Sequence, residues 1–264
     1  MAESISKEVA RQANPLAVVA KYQNELGKSM PAAIRGDVGR WMMVAEMAVR
    51  KNPKLLSIVQ ADQGASLMRA LIECARLGHE PGTKYFYLVP RGNQISGEEG
   101  YHGIIKRVLN SGHYQKVLAR TVFERDEYSF DPLTDQLPTH VPASGERGKP
   151  VSAYAFALHW DGTPSTVAEA SPERIAAAKA KSYGTDRKDS PWQSVTGVMY
   201  RKTAIRELEP YVHTSAEPQP RQDNAGSRGA VMDPSTYDDA EPLDADVLDI
   251  TADQIAEHDG EGAL

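Results

Sequence analysis

Apolar positions along the chain follow a helical period first, then a strand period, then a helical period again. Asn14 stands where a helix is capped, Pro15 at its first position, and Leu16, Val19, Ala20 and Gln23 continue it. Val38, Trp41, Met42, Ala45 and Ala48 share one face of a second helix, which Asn52-Pro53 ends. Leu67, Leu71, Cys74 and Ala75 form the inner face of a third. Gly78 follows where a helix end favours positive φ, and Pro81 forbids early resumption. The spacing then shortens. Tyr85-Phe-Tyr-Leu-Val89 is rich in aromatic and β-branched residues, as a strand should be, and Arg91-Gly92-Asn93-Gln94 reads as its turn.

A further amphipathic helix places Tyr101, Ile104, Ile105, Val108 and Leu109 on one stripe and closes at Gly112. Lys106 and Arg107 lie off that stripe and are expected in water or against a ligand. Lys116 to Arg125 alternates as a strand, and 126–150, with repeated Pro and Gly, reads as a hairpin or long excursion. Val151 to Trp160 has small residues on one face (Val151, Ala153, Ala155, Ala157) and larger ones on the other (Tyr154, Phe156, Leu158, Trp160). Asp161-Gly162 turns this strand back through Thr166-Val-Ala168. Ser171-Pro172 opens an Ala/Lys-rich helix, Tyr183 to Ser190 is a charged loop, and Ser190-Pro191 caps a last helix running to Pro210. The expected fold is α+β, a small mostly antiparallel sheet with hairpins packed against helices and a helical N-terminal region. Residues 1–13 are expected to be flexible, 14–214 to form the core, and 215–264 to be a largely disordered tail.

Charge sharpens that division. The whole chain of 264 residues carries −6, but 215–264 holds 13 Asp/Glu against 2 Lys/Arg, a net of −11. The remainder holds 28 Lys/Arg against 23 Asp/Glu, a net of +5. A mildly basic body thus carries an acidic tail, within which 247–255 has enough apolar residues to become helical against a partner. Cys74 is the single cysteine, so no intrachain disulfide forms, and its helical spacing makes it a core residue. Glu3, Lys7, Glu8 and Arg11 stand where a secretion signal needs an apolar run, and no apolar stretch is long enough to span a bilayer. A cytoplasmic protein without a membrane partner is expected.

The signatures of bond chemistry fail in turn. In Gly92-Asn-Gln-Ile-Ser-Gly97-Glu98, a glutamate occupies the position where a phosphate loop needs lysine, and it would repel the nucleotide. The seven histidines show no paired spacing for zinc. Asp186-Arg-Lys188 has the carboxylate-to-lysine spacing of a metal-dependent nuclease, but it lies in a loop without an obvious acidic partner. No Ser/His/Asp arrangement can be assigned. No catalytic residue, metal or cofactor is therefore expected.

One succession of short motifs does carry a resemblance. Ala75-Arg-Leu-Gly-His-Glu-Pro81, Tyr87-Leu-Val-Pro90, Gly92-Asn93 and Gly100-Tyr-His-Gly-Ile104, then Pro191-Trp192 and Met199-Tyr-Arg-Lys-Thr-Ala-Ile-Arg206, resemble the RecT family of phage-type single-strand annealing recombinases. The resemblance spans about 15–213 in the right order. It implies ATP-independent binding of single-stranded DNA, pairing with a complementary strand in homologous recombination, and a core that assembles into rings or helical filaments. It also implies a 5′→3′ exonuclease and a host single-strand-binding protein as partners. A metal-dependent nuclease and a self-assembling structural or adaptor protein are the rival classes.

Under that resemblance the cations become candidate DNA ligands. Lys202 and Arg206 are one helical turn apart, with Arg201 about 100° round the helix. Such a row suits successive phosphates; alone it would read as a solvated face paired with Glu207 or Glu209. Lys106 and Arg107 have the same dual reading, and Lys84, Arg91, Lys116 and Arg120 are further candidates. Gly100 and Gly103 either admit backbone amides to a phosphate or allow tight helix–strand packing. Tyr101 and Trp192 either stack on bases or fill the core. An annealing protein must leave base edges free, which favours a grip on the sugar–phosphate backbone.

Overall fold

In the computed structural model, residues 21–222 are described, apart from positions 22, 183 and 189. The expectations for the N-terminal residues, the Pro15 helix and the acidic segment 223–264 lie outside these residues. The described chain divides into two compact units, the first reaching Gly103 and the second beginning at Ile104.

Helices α1 (Gln23–Ser29), α2 (Ala32–Arg35), α3 (Val38–Lys51), α4 (Pro53–Ala61) and α5 (Ala65–Arg76) precede a hairpin of β1 (Phe86–Arg91) and β2 (Gln94–Glu99) in the first unit. The inner face of α3 is Trp41, Ala45 and Val49, and Met42 and Ala48 pack against the same core. The Trp41 indole donates to the carbonyl of His79 at 2.6 Å, which ties α3 to the chain beyond α5. Asn52-Pro53 ends α3 as the spacing requires, and it also starts α4. The Asn52 side chain accepts from the amides of Lys54 and Leu55, with Pro53 at the first helical position. Leu67, Leu71, Cys74 and Ala75 are all buried on α5. In the hairpin Arg91 faces Gln94, leaving Gly92-Asn93 as a two-residue turn whose Gly92 takes φ 55°.

Helix α6 (Tyr101–Asn110) spans the boundary between the units. The second unit then holds β3 (Tyr114–Phe123), β4 (Glu127–Ser129), β5 (Thr139–Val141), β6 (Pro150–His159), β7 (Ala168–Ala170), α7 (Pro172–Ala180), α8 (Pro191–Ser194) and α9 (Thr196–Leu208). Strands β3, β6 and β7 form an antiparallel sheet with β6 in the centre, and β4 pairs with β5 as a separate ribbon. The large face of β6 builds one core: Tyr154, Phe156 and Leu158 pack with Leu118 and Val122 of β3. The small face of Ala153, Ala155 and Ala157 is buried as well, and α9 lies across β6, β7 and β3. Thr121 is paired with Ala153 in register, and its hydroxyl donates to the carbonyl of Gly197 at 2.9 Å at the start of α9. Alanines on this face let the helix come close without a layer of large side chains between.

Two stretches differ from the sequence-based expectation. Ser190 does cap a helix, its side chain accepting from the Trp192 amide, but α8 lasts one turn. At Val195 the backbone turns to φ −134°, and α9 then begins without a side-chain cap. Packing on the sheet beneath supports α9 instead, as tertiary contacts do for most helices. Nor does the chain leave the unit at Thr214. The amides of Ser215, Gln219 and Gln222 donate to the carbonyls of Arg107, Asn110 and Gly112, at 2.8, 2.8 and 2.9 Å. These carbonyls lie at the end of α6, where helix geometry leaves acceptors without partners inside the helix. Gly112, at φ 77°, has the Pro220 carbonyl where its Cβ would be, so only glycine admits this strap.

The β4–β5 ribbon is anchored by a buried carboxylate. Asp126 accepts from Arg147 through Nε (2.9 Å) and a terminal nitrogen (2.6 Å), from His140 Nε2 (3.0 Å), and from the amides of Phe123 and Ala143. Burial alone would raise its pKa, but the Arg147, His140 and amide hydrogen bonds outweigh it and hold the group well below 3.8. Its contribution to stability is therefore complete above pH 3.8 and is lost as pH falls through the depressed folded value. Asp126→Asn is expected to cost about 3 kcal/mol at pH 7 and to flatten the decline of stability below about pH 4. Urea unfolding at pH 7 and pH 3 checks both; equal midpoints for the two proteins at pH 7 would show that this carboxylate does not hold the ribbon.

Candidate nucleic-acid interface

The register of the sheet sorts the expected cations onto different surfaces. Arg201 points under α9 towards β3, where its guanidinium meets the Thr121 hydroxyl at 3.4 Å and only 8% of the residue is exposed. Lys202, about 100° further round, is half-buried, and Arg206, one turn on, is exposed. Burial of Lys202, with the positive charge of Arg206 beside it, pushes the lysine down to about 8. The cost of desolvation and of the neighbouring charge thus falls on Lys202, and an anion beside it would relieve that cost.

The off-stripe position of Arg107 predicts water or a ligand, and the structure corrects this. Arg107 is buried and ion-paired with Glu209 in the turn Glu209–Tyr211 that follows α9. The rule fails because α6 is covered on more than one side, so a second face is buried with its own counter-ion. Lys106 is half-buried on α6. Lys116 and Arg120 pair with Leu158 and Tyr154, which puts them on the face of the sheet away from α9. They are separated from Lys202 and Arg206 by the sheet itself.

In the first unit, Lys84 is half-buried with its ammonium 5.7 Å from the Tyr85 ring centre. Arg91 is exposed on the hairpin and paired with Glu98 at 2.8 Å. Gly100 and Gly103 sit against backbone: a Cβ would lie 2.2 Å from the Lys84 carbonyl oxygen at Gly100, and 2.5 Å from that of Tyr85 at Gly103. His79, fully buried, meets Glu99 at 2.6 Å beside Gly103. Tyr101 and Trp192 are buried, and Trp192 tilts towards Tyr200. The exposed indole is Trp160, which donates to the Gly112 carbonyl at 2.8 Å and carries Arg221 of the strap 4.8 Å above its ring. Its place at the end of β6, next to the Asp161-Gly162 turn, is the signal in the sequence.

Asp186, Arg187 and Lys188 lie in the loop before α8, with the two cations exposed. Among the described residues, no three His, Cys, Asp or Glu side chains gather as a metal site. Among the same residues, no helix is long and apolar enough to cross a membrane.

The arrangement that stands out is a helix on a sheet presenting a lysine and an arginine one turn apart. The model of the RecT family matches residues 40–239, a range that contains all the candidate cations and the whole of α9. The chain belongs to the RecT family. It is also similar to Protein RecT of Escherichia coli (strain K12), with 29% identity over 237 residues, covering 86% of this chain and 81% of that protein. Recombination by strand annealing is the work of this family.

For this RecT-family protein, the two readings of Gly100 and Gly103 give opposite results on substitution. Because both Cβ positions collide with backbone carbonyls, Gly100→Ala and Gly103→Ala are each expected to cost about 2–3 kcal/mol of stability. The folded fraction should still bind a single-stranded oligonucleotide as the parent does. Thermal unfolding with fluorescence anisotropy checks this; unchanged stability with abolished binding would make these glycines phosphate ligands.

Proposed function

We propose that the protein is an ATP-independent annealing factor that grips single-stranded DNA by its phosphates and pairs it with a complementary strand. The observation that supports this most directly is Lys202 beside Arg206 on α9: two cations on one face, the lysine lowered to about 8 by burial and by its neighbour. Phosphates supply negative charge to both, and such binding carries no sequence information. Arg201 serves the same site from beneath by fastening α9 to Thr121. Arg91 is neutralised by Glu98 and Lys116 and Arg120 lie across the sheet, so among the other candidates Lys84 and Lys106 add long-range positive charge that draws in the strand.

No covalent chemistry is required of the protein. The new duplex supplies the free energy, roughly 1.4 kcal/mol per base step. The protein's part is to lower repulsion between the strands and raise their effective concentration as a homo-oligomer in the cytoplasm. Single-stranded DNA and the annealed duplex are its ligands. A 5′→3′ exonuclease and a host single-strand-binding protein are its functional partners by analogy with the family. The core of this activity is the folded body, with the acidic 223–264 segment as a recruiting and competing tail. A nuclease would need a second carboxylate and a metal beside Asp186, and no observation favours that reading.

Binding a phosphate favours charged Lys202, so complex formation should take up protons near pH 8 and weaken as pH rises through that value. By pH 9 the weakening should approach about tenfold. Lys202→Arg should bind with little pH dependence, since a guanidinium stays charged. Lys202→Glu and Arg206→Glu should weaken binding and make log K against log salt shallower by about 0.7 for each phosphate no longer neutralised. Anisotropy titrations across pH and salt check these; wild-type affinity and salt slope in both glutamate variants, with intact circular dichroism, would remove α9 from the interface.

A further inference from the structure

The connection between β4 and β5 holds Leu133 at 92% exposure. A lone exposed leucine is ordinary on a protein surface, but this one is held in place. Asp131 Oδ1 accepts from the Leu133 amide at 2.9 Å, and the Asp131 carbonyl accepts from the amides of Thr134 and Asp135 at 3.1 and 2.8 Å. The Asp135 carboxylate closes the loop by accepting from the Asp131 amide at 2.8 Å. At its base, the ribbon is anchored by the buried Asp126 network. A rigid turn that offers a leucine has already given up the entropy that docking would otherwise cost.

The charge around this turn selects its occupant. Asp126 and Glu146 are paired with Arg147 and Arg125 at the base of the ribbon, while Glu127, Asp131 and Asp135 lie towards the turn, and 127–145 holds no lysine or arginine. A phosphate backbone is repelled there, so the fitting surface is an apolar strip of protein with a basic border. This chain has such a strip. Met43 and Met47, one turn apart on α3, are 63% and 65% exposed. Arg40 lies one turn before them, and Arg50 and Lys51 one turn after. Arg40 and Arg50 are held by Glu80 and Glu46, at 2.9 and 2.7 Å, and with Lys51 the border is net positive. Methionine side chains reshape readily around an incoming group.

We propose that Leu133 of one copy docks on the Met43–Met47 strip of the next copy, with Asp131 and Asp135 facing its basic border. Each copy then presents one knob and one strip, so the contact is heterologous and propagates from copy to copy. The inference rests on the reading of this protein as a self-assembling annealing factor and names the surfaces that assemble.

The test uses the full chain with Leu133→Cys and Met47→Cys together, treated with a short bis-maleimide; native Cys74 is buried and stays in place as a control. The expected product is a ladder of dimers, trimers and larger species in the double variant, and nothing beyond dimers in either single variant. In parallel, Leu133→Asp should raise the protein concentration needed for assembly, read by sedimentation velocity, about tenfold or more. Its binding to an oligonucleotide too short to bridge two copies should match the parent. No ladder above the dimer, assembly of Leu133→Asp at the parent's concentration, or a parent that stays monomeric throughout would each overturn the proposal. Failure of the parent to bind the short oligonucleotide would instead overturn the annealing reading, so the two failures are told apart.

Discussion

A helix that carries three cations within six residues must find somewhere to put the one that faces inward. In α9 that residue is Arg201, and the sheet accommodates it: the Thr121 hydroxyl meets the guanidinium and also donates to the Gly197 carbonyl at the start of the helix. The alanines of β6 allow the close approach that brings those groups within reach. Once Arg201 is fixed underneath, helical geometry leaves Lys202 at the edge and Arg206 outside. The placement of the proposed phosphate-binding pair thus follows from burying one arginine beneath the helix, where a terminal nitrogen meets Thr121 and the buried Nε is left without a hydrogen bond.

Much of the fold was legible because local chemistry and periodicity agreed. The helix face of Leu67 to Ala75, the Gly92-Asn93 turn, the Ser171-Pro172 helix start and the two unequal faces of β6 all follow from spacing and cap residues. What stayed hidden depends largely on distant residues. Pro53 reads as a stop, although Asn52 in front of it also caps a new helix. Nothing local in Ser215 to Gln222 shows that its amides meet the last carbonyls of α6. Arg107 reads as solvent-facing from its own helix, and only Glu209, far along the chain, supplies the counter-ion that lets it be buried.

The candidate site was legible in kind but not in arrangement. The basic run Arg201, Lys202 and Arg206 is visible as a pattern, yet only the register of β3 against β6 puts Lys116 and Arg120 on the opposite face of the sheet. Likewise, the aromatic residues that suggest base stacking, Tyr101 and Trp192, are buried, while Trp160 reaches the surface at a strand end. For a protein whose ligand must keep its base edges available, a backbone grip with few exposed rings is physically coherent. A further demand is that binding be firm enough to gather strands and loose enough to release the duplex. In the proposed complex, a lysine whose pKa is lowered to about 8 suits that balance, since its charge would respond to a phosphate laid against it.

Pairing by charge screening and proximity needs neither nucleotide hydrolysis nor strand scission. The direct measurement is fluorescence energy transfer between two labelled complementary oligonucleotides, mixed with the full-length protein in EDTA and without ATP. Annealing is predicted to be faster than the protein-free reaction, and both strands should keep their full length on a denaturing gel. No acceleration until ATP is added, or shortened strands once magnesium is present, would contradict it.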